Sequence, residues 1–132
     1  MPISVFWDDE NEAILRMVFM GPWRWEELFD RKEVIARLCA TRAGRVDIIA
    51  NMPVYRPASM GQPANAQSGL LPRPVNGGLT VMVVNDFTYY LLTGHSRAAS
   101  ALVGLASSVS QARVVIAASR RGEPLPEYVA YR

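Results

Sequence analysis

The sequence predicts an α/β domain built on a mixed, mostly parallel sheet of four or five strands with helices packed on it. The runs ISVFWDD (3–9) and AILRMVFM (13–20) are rich in β-forming residues, and only ENE separates them, which is typical of a hairpin. The chain then changes to a helical period. Later apolar runs lie between glycine and proline breakers, as strands covered on both faces do. The predicted order is β-β-α-β-(α)-β-α-β-α, in which right-handed crossovers make the later strands parallel.

The first helix is predicted over residues 24–42. Apolar residues recur there at helical spacing. Glu26 and Glu27 lie in the first turn, where the positive end of the helix dipole favours carboxylates. Neither Trp23 nor Arg24 has a side chain that accepts a hydrogen bond from a backbone N–H, so we expect a poorly capped start. The second strand of the hairpin is apolar on both faces apart from Arg16, which predicts a place inside the sheet.

The middle of the chain is predicted to hold two buried strands, at 45–52 and 78–85. The 25 residues between them, 53–77, contain five prolines, and a short helix is expected at PANAQSGLL. A second long helix is predicted over 86–100, with Asp86 or Asn85 as its cap.

Two interpretations of the last third of the chain remain open. In the first, 101–106 is the last strand, and Ser107 or Ser108 caps a helix over 109–121. In the second, 101–106 extends the preceding helix and ARVVIA (112–117) is the last strand. The serine-rich capping site favours the first interpretation.

Composition limits the class of protein. The 132 residues suit one domain, with a core at about 3–121 and a tail at 122–132. A net charge of +2 without a basic stripe argues against nucleic acid as a partner, and the adjacent pairs Arg31–Lys32 and Arg120–Arg121 are expected on solvated helix faces. No apolar run is long enough to cross a membrane, and no signal peptide is apparent, so we expect a cytoplasmic protein.

The residues that might carry catalysis are few. GHSRA (94–98) is one residue from a G-x-S-x-G elbow, but the residues before Ser96 have a helical period, and His95 is the chain's single histidine. One histidine and one cysteine, Cys39, cannot form a usual zinc set, so neither a metal nor a cofactor is expected. The acidic turn at 8–12 is expected to be solvated. A hydrolase that uses Ser96 is therefore the less favoured alternative, and Cys39 is expected to be buried and inert.

The segment GPWRWEEL, with VFWDD and VDIIANM, resembles the SpoIIAA-like branch of the STAS superfamily over about residues 3 to 121. Its W-x-W-E-E opening of the first helix is the most specific match, although Arg24 stands where related sequences often have a capping threonine or serine. The resemblance implies a small cytoplasmic domain similar to bacterial anti-sigma-factor antagonists, which act by binding a regulatory protein partner. In the phosphorylated antagonists, a serine in a D-S-x-G motif is the switch. Its nearest equivalent here is Ser59 in ASMG, which lacks the aspartate.

Two functions follow as expectations. The first is a non-catalytic regulatory or protein-interaction domain. The second is a small-molecule or lipid binder that uses a pocket near the 53–77 loop. Trp23 and Trp25 are either core residues, the favoured interpretation, or a platform of which one ring is exposed. The candidate surface for a ligand or partner comprises Trp23, Trp25, Tyr55, Arg56, Met60 and Asp86.

Self-association as a homodimer is also expected. Tyr128 and Tyr131 in the tail, together with an exposed tryptophan, are suitable material for such an interface. The tail itself is expected either to lie on the body of the domain or to form an interface element.

Overall fold

A computed structural model describes residues 3–52, 78–86 and 103–128, and all structural statements below concern those residues. They form an α/β fold in which two helices pack on a five-stranded sheet. No helix among them is long and apolar enough to cross a bilayer. The elements are β1 (Ile3–Asp9), β2 (Ile14–Phe19), α1 (Trp25–Ala40), β3 (Asp47–Asn51), β4 (Thr80–Val83), β5 (Val103–Ala106) and α2 (Val109–Arg120).

The five strands lie side by side in the order in which they occur along the chain. β1 and β2 are antiparallel, and β2 to β5 are mutually parallel. The predicted hairpin, the mostly parallel sheet and the interior position of β2 are therefore confirmed. The register shifts between Trp7 and Asp9, which places a bulge at Asp8. Asp8 follows Ser4 and Phe6 in the alternation of the strand, so its carboxylate lies on the face of α2, where Arg113 binds it.

The two helices bury opposite faces of the sheet. Leu15, Met17 and Ile48 belong to the apolar cluster that includes Trp25 and Leu28 of α1. On the other face, α2 packs against β3, β4 and β5, with Val115 and Ile116 in a second apolar cluster. Because β3 and β4 are buried on both faces, their nearly continuous apolar sequences have a simple physical cause.

α1 begins without a side-chain cap, as the sequence predicts. Arg24 is the N-cap residue, and its side chain makes no capping hydrogen bond. Packing holds this end instead: Trp23 lies 5.6 Å from Phe19 and 4.9 Å from Trp25 between ring centroids, in edge-to-face arrangements. Both tryptophans are buried. The idea that one of them is exposed is therefore wrong, because Trp23, two residues before the helix begins, packs in the same core as Trp25.

α2 confirms the first interpretation of the last third of the chain. Residues 103–106 form β5, which pairs with β4, and 112–117 are helical. The hydroxyl of Ser108 accepts a hydrogen bond from the backbone N–H of Gln111, which is the predicted cap. At the other end, Gly122 has a φ of +70°, a conformation that glycine adopts at little cost.

The segment after α2 lies on the body of the domain. The Tyr128 hydroxyl donates to the carboxylate of Asp86 at 2.7 Å and lies 3.2 Å from the carbonyl oxygen of Val84. Its ring packs against the cluster that α1 covers. One of the two expectations for the tail is thus confirmed as far as Tyr128. The short helix expected within 53–77, and all of the 86–100 helix beyond Asp86, lie outside the described residues.

Candidate functional site

A cleft of about 350 Å³ opens between the turn of the hairpin and the second half of α2. The hairpin contributes the carboxylates of Asp8, Asp9 and Glu12, and α2 contributes the guanidinium groups of Arg113 and Arg120. The cleft lies at the end of the sheet where the parallel strands begin. It is thus opposite to the carboxyl ends, where ligand sites of parallel sheets usually lie.

Asp8 is held by two arginines. Its side chain is 2% exposed, and Arg16 Nη2 donates to Oδ1 at 2.6 Å. Arg113 donates from Nε to Oδ2 at 3.0 Å and from Nη2 to Oδ1 at 2.9 Å, so this pair is bidentate. The hydrogen bond from Arg113, followed by that from Arg16, lowers the pKa of Asp8 below its ordinary value, although burial acts against them. Asp8 therefore remains a carboxylate at neutral pH.

Asp47 is the second buried carboxylate at this end of the sheet. Its side chain is fully buried at the first position of β3. Arg45 and Arg120 donate to it from Nε at 3.0 and 2.7 Å, and the backbone N–H of Leu79 donates at 2.7 Å. Arg120 also donates to the carboxylate and backbone carbonyl of Glu12 in the turn. These bonds connect the hairpin turn, β3 and α2.

Two sequence expectations are wrong in this region. The acidic turn is not wholly solvated, because the Asp8 side chain is buried against two guanidinium groups. Arg120 does not lie on a solvated helix face either, since it donates to buried Asp47. A carboxylate that is ionised and bidentately paired is a poor general acid, so the arrangement acts as a clamp between elements.

The hairpin presents a second feature on the face of the sheet that α2 occupies. Ser4 and Val18 are partners across β1 and β2, as are Phe6 and Arg16, and we call these four residues the hairpin surface. On this face of the sheet, α2 packs on β3, β4 and β5. Phe6, on the same face of β1, is 43% exposed. The Arg16 guanidinium lies 5.3 Å from the centroid of the Phe6 ring, within range of a cation–π contact. The bonds from Arg16 to Asp8 thus also position the charge over the exposed ring.

Of the sequence-predicted surface residues, the structure describes Trp23, Trp25 and Asp86, and these three do not form one exposed surface. Trp23 and Trp25 are buried in the core, so they serve packing. Asp86 lies after β4 and accepts a hydrogen bond from Tyr128. The other candidate surface residues, Tyr55, Arg56 and Met60, lie outside the described residues. So do the candidate phosphosite Ser59 and the catalytic alternative Ser96.

Sequence reasoning missed Asp8, Asp47 and their arginines as a group. A signal was present for Asp47, because a lone carboxylate within the apolar run VDIIA must find a charged or hydrogen-bonding partner when the strand is buried. Cys39 is buried, as predicted. Within the described ranges, no group of three or more His, Cys, Asp or Glu side chains is placed to hold a metal ion.

The likeness to SpoIIAA-like domains has no independent support from comparison with known proteins. No family model matches the chain, and no curated protein or solved structure matches it either.

Proposed function

We propose that this chain is a non-catalytic, regulatory protein-interaction domain of the SpoIIAA/STAS type, and that it binds protein through the hairpin surface. The W-x-W-E-E segment supports the first part of the proposal, since it opens the first helix after the hairpin and its tryptophans pack in the core. A five-stranded sheet with helices packed on it also agrees with what the resemblance implies. No step of the proposal depends on phosphorylation of Ser59.

The observation that carries the second part is the exposed ring of Phe6. Phenylalanine and arginine are both enriched at protein interfaces relative to other surfaces. Here the ring is 43% exposed, and the arginine over it is fixed by a buried carboxylate. A rigid aromatic group loses little conformational entropy when it binds, which favours its use as an anchor. In the cleft, by contrast, Arg113 and Arg120 are already paired with Asp8, Asp47 and Glu12.

The test compares two substitutions at exposed apolar positions. Phe6→Glu places a charge in the hairpin surface, whereas Val114→Glu places one on α2, where Val114 is 55% exposed. A partner is first identified by cross-linking in a lysate of the native cell, then purified and titrated against each variant. We expect Phe6→Glu to weaken binding about thirtyfold, as loss of an interface hot spot does, and Val114→Glu to change it less than twofold.

Equal binding by the two variants would contradict this assignment of the surface. The alternative function, binding of a small molecule or lipid near the 53–77 loop, is distinguished by native mass spectrometry of the purified chain. A ligand retained at one equivalent by the wild type and by both variants would favour that alternative and overturn the proposal.

A further inference from the structure

We propose that the protein bound at the hairpin surface is a second copy of this chain, paired through the edge of β1. The two β1 strands would run antiparallel about a two-fold axis at Phe6, which joins two five-stranded sheets into one. This inference rests on the proposed function and names the partner of the same surface. It differs from the interface expected from the sequence, in which Trp23, Trp25 and Tyr128 are now seen to pack within their own domain and Tyr131 lies outside the described residues.

β1 offers a suitable edge. Among the described strands it is paired only with β2, so one row of its backbone N–H and C=O groups has no strand beside it. Natural edge strands are usually protected by charged side chains or proline. Residues 3–7, ISVFW, contain neither, and the bulge and the two aspartates come only at the end of the strand.

The sequence of β1 is complementary to itself in one antiparallel register. Phe6 is the central residue of this seven-residue strand, so the register that pairs Phe6 with Phe6 overlaps the whole strand. It places Val5 opposite Trp7, Ser4 opposite Asp8 and Ile3 opposite Asp9. Aromatic and β-branched side chains thus meet across the junction, which stabilises sheets. Moving the centre to Trp7 would instead place Phe6 opposite Asp8 and Val5 opposite Asp9.

Charge favours the antiparallel arrangement over a parallel one. Asp8 and Asp9 both lie at the carboxyl end of β1, and Glu10 follows them. Arg16 and Arg113 neutralise Asp8, but parallel pairing would set the exposed carboxylate of Asp9 beside its own copy, and like charges directly opposite one another destabilise a sheet. Antiparallel pairing separates the two acidic ends by the length of the strand.

The interface is small, so the dimer should be weak. A stable interface usually buries about 1,600 Å², and one strand pair with the Phe6 rings buries less. We therefore expect a dissociation constant on the order of 10 µM and a dimer that forms only as concentration rises. Sedimentation equilibrium of the purified wild type should show a mass that increases from 14.6 kDa towards twice that value.

Two pairs of variants test the position of the axis. Phe6→Glu should remain a monomer at concentrations where Val114→Glu dimerises like the wild type. Phe6→Cys should form a cross-linked dimer with a short bismaleimide, since opposite β-carbons are about 5 Å apart. Ser4→Cys is the matched control, because its two copies would lie about 13 Å apart along the strands. The native Cys39 is buried and does not compete.

The outcomes separate this inference from the proposed function. Equal cross-linking of the two cysteine variants overturns the β1 register. A wild type that stays at 14.6 kDa while binding another protein through Phe6 overturns self-pairing and leaves the proposed function intact. Both self-pairing and the proposed function are overturned if the wild type remains a monomer and Phe6→Glu does not change its binding to any other protein.

Discussion

Asp47 Oδ2 accepts a hydrogen bond from Arg120 Nε at 2.7 Å, across 73 positions of the chain. The carboxylate is fully buried at the start of β3, and the arginine is in the last turn of α2. Transfer of an unpaired carboxylate from water into a protein interior is very unfavourable, so the pair fixes where the helix ends against the sheet. Arg45, which also binds Asp47, donates to Ser119 of the same helical turn at 2.8 Å.

Asp47→Ala is therefore expected to be strongly destabilising. It leaves Arg45 and Arg120 without their carboxylate and the N–H of Leu79 without its acceptor. Loss of one partner of a buried ion pair costs about 3–5 kcal/mol of unfolding free energy. Urea denaturation followed by circular dichroism at neutral pH measures it.

The control for this prediction is Glu123→Gln. Glu123 pairs with Arg121 at 2.6 Å, but both side chains are more than half exposed, and such pairs contribute little to stability. If Asp47→Ala were no more destabilising than Glu123→Gln, the clamp would have no role in stability.

Asp8 should make the stability of the fold depend on acid pH. Arg113 and Arg16 lower the pKa of Asp8 in the folded protein, while the unfolded chain has the ordinary value of about 3.9. A lowered folded pKa means that the stabilisation is complete above the unfolded value and is lost as pH falls through the folded one. We expect Asp8→Asn to be less stable than the wild type at neutral pH, by about 1–3 kcal/mol, and to lose less further stability below about pH 4.

The measurement is urea denaturation at a series of pH values from neutral to about pH 3. Arg113→Gln removes the first cause of the lowered pKa and should flatten the same part of the curve. Curves for both variants that run parallel to that of the wild type would show that Asp8 is not linked to folding.

Gly104 on β5 should not accept a side chain. A β-carbon there would lie 3.2 Å from Val115 Cγ1 and 3.2 Å from Val81 Cγ2, so these two side chains would have to move by a few tenths of an ångström. We expect Gly104→Ala to lower the thermal midpoint and to cost about 1–3 kcal/mol, as overpacking does. Gly44→Ala is the control, because a β-carbon at that position meets nothing within 4 Å. A loss of stability equal in the two variants would refute the close packing of α2 on β5.

Arg24→Ser should stabilise the protein. Arg24 occupies the N-cap of α1 in an extended conformation, with φ −104° and ψ 151°, and makes no capping bond. A serine hydroxyl there would accept a backbone N–H, as Ser108 does for α2, which is worth about 1 kcal/mol. The Arg24→Ala variant separates capping from removal of the arginine, since it cannot make the bond. The capping explanation fails if Arg24→Ser is no more stable than Arg24→Ala in thermal denaturation.

The strand and helix pattern was predictable because local signals agreed with burial. The serines before α2 predicted where that helix begins. The apolar residues within β3 predicted a strand covered on both faces. The charged groups were not predictable in the same way, since a bond between Asp8 and Arg113 joins residues 105 positions apart. Strand alternation places Asp8 on the same face as Phe6, but no local pattern shows that α2 brings Arg113 to that face.

The central claim is that β1 is a pairing edge, and hydrogen exchange of its backbone amides tests it most directly. The exchange rates of residues 3–9 are measured at low-micromolar and near-millimolar concentrations, in the wild type and in Phe6→Glu. We expect alternate amides of β1 in the wild type to exchange more slowly at high concentration, because they become bonded to a second copy, and those of the variant to be unchanged. Exchange rates in wild-type β1 that are the same at both concentrations would contradict the claim.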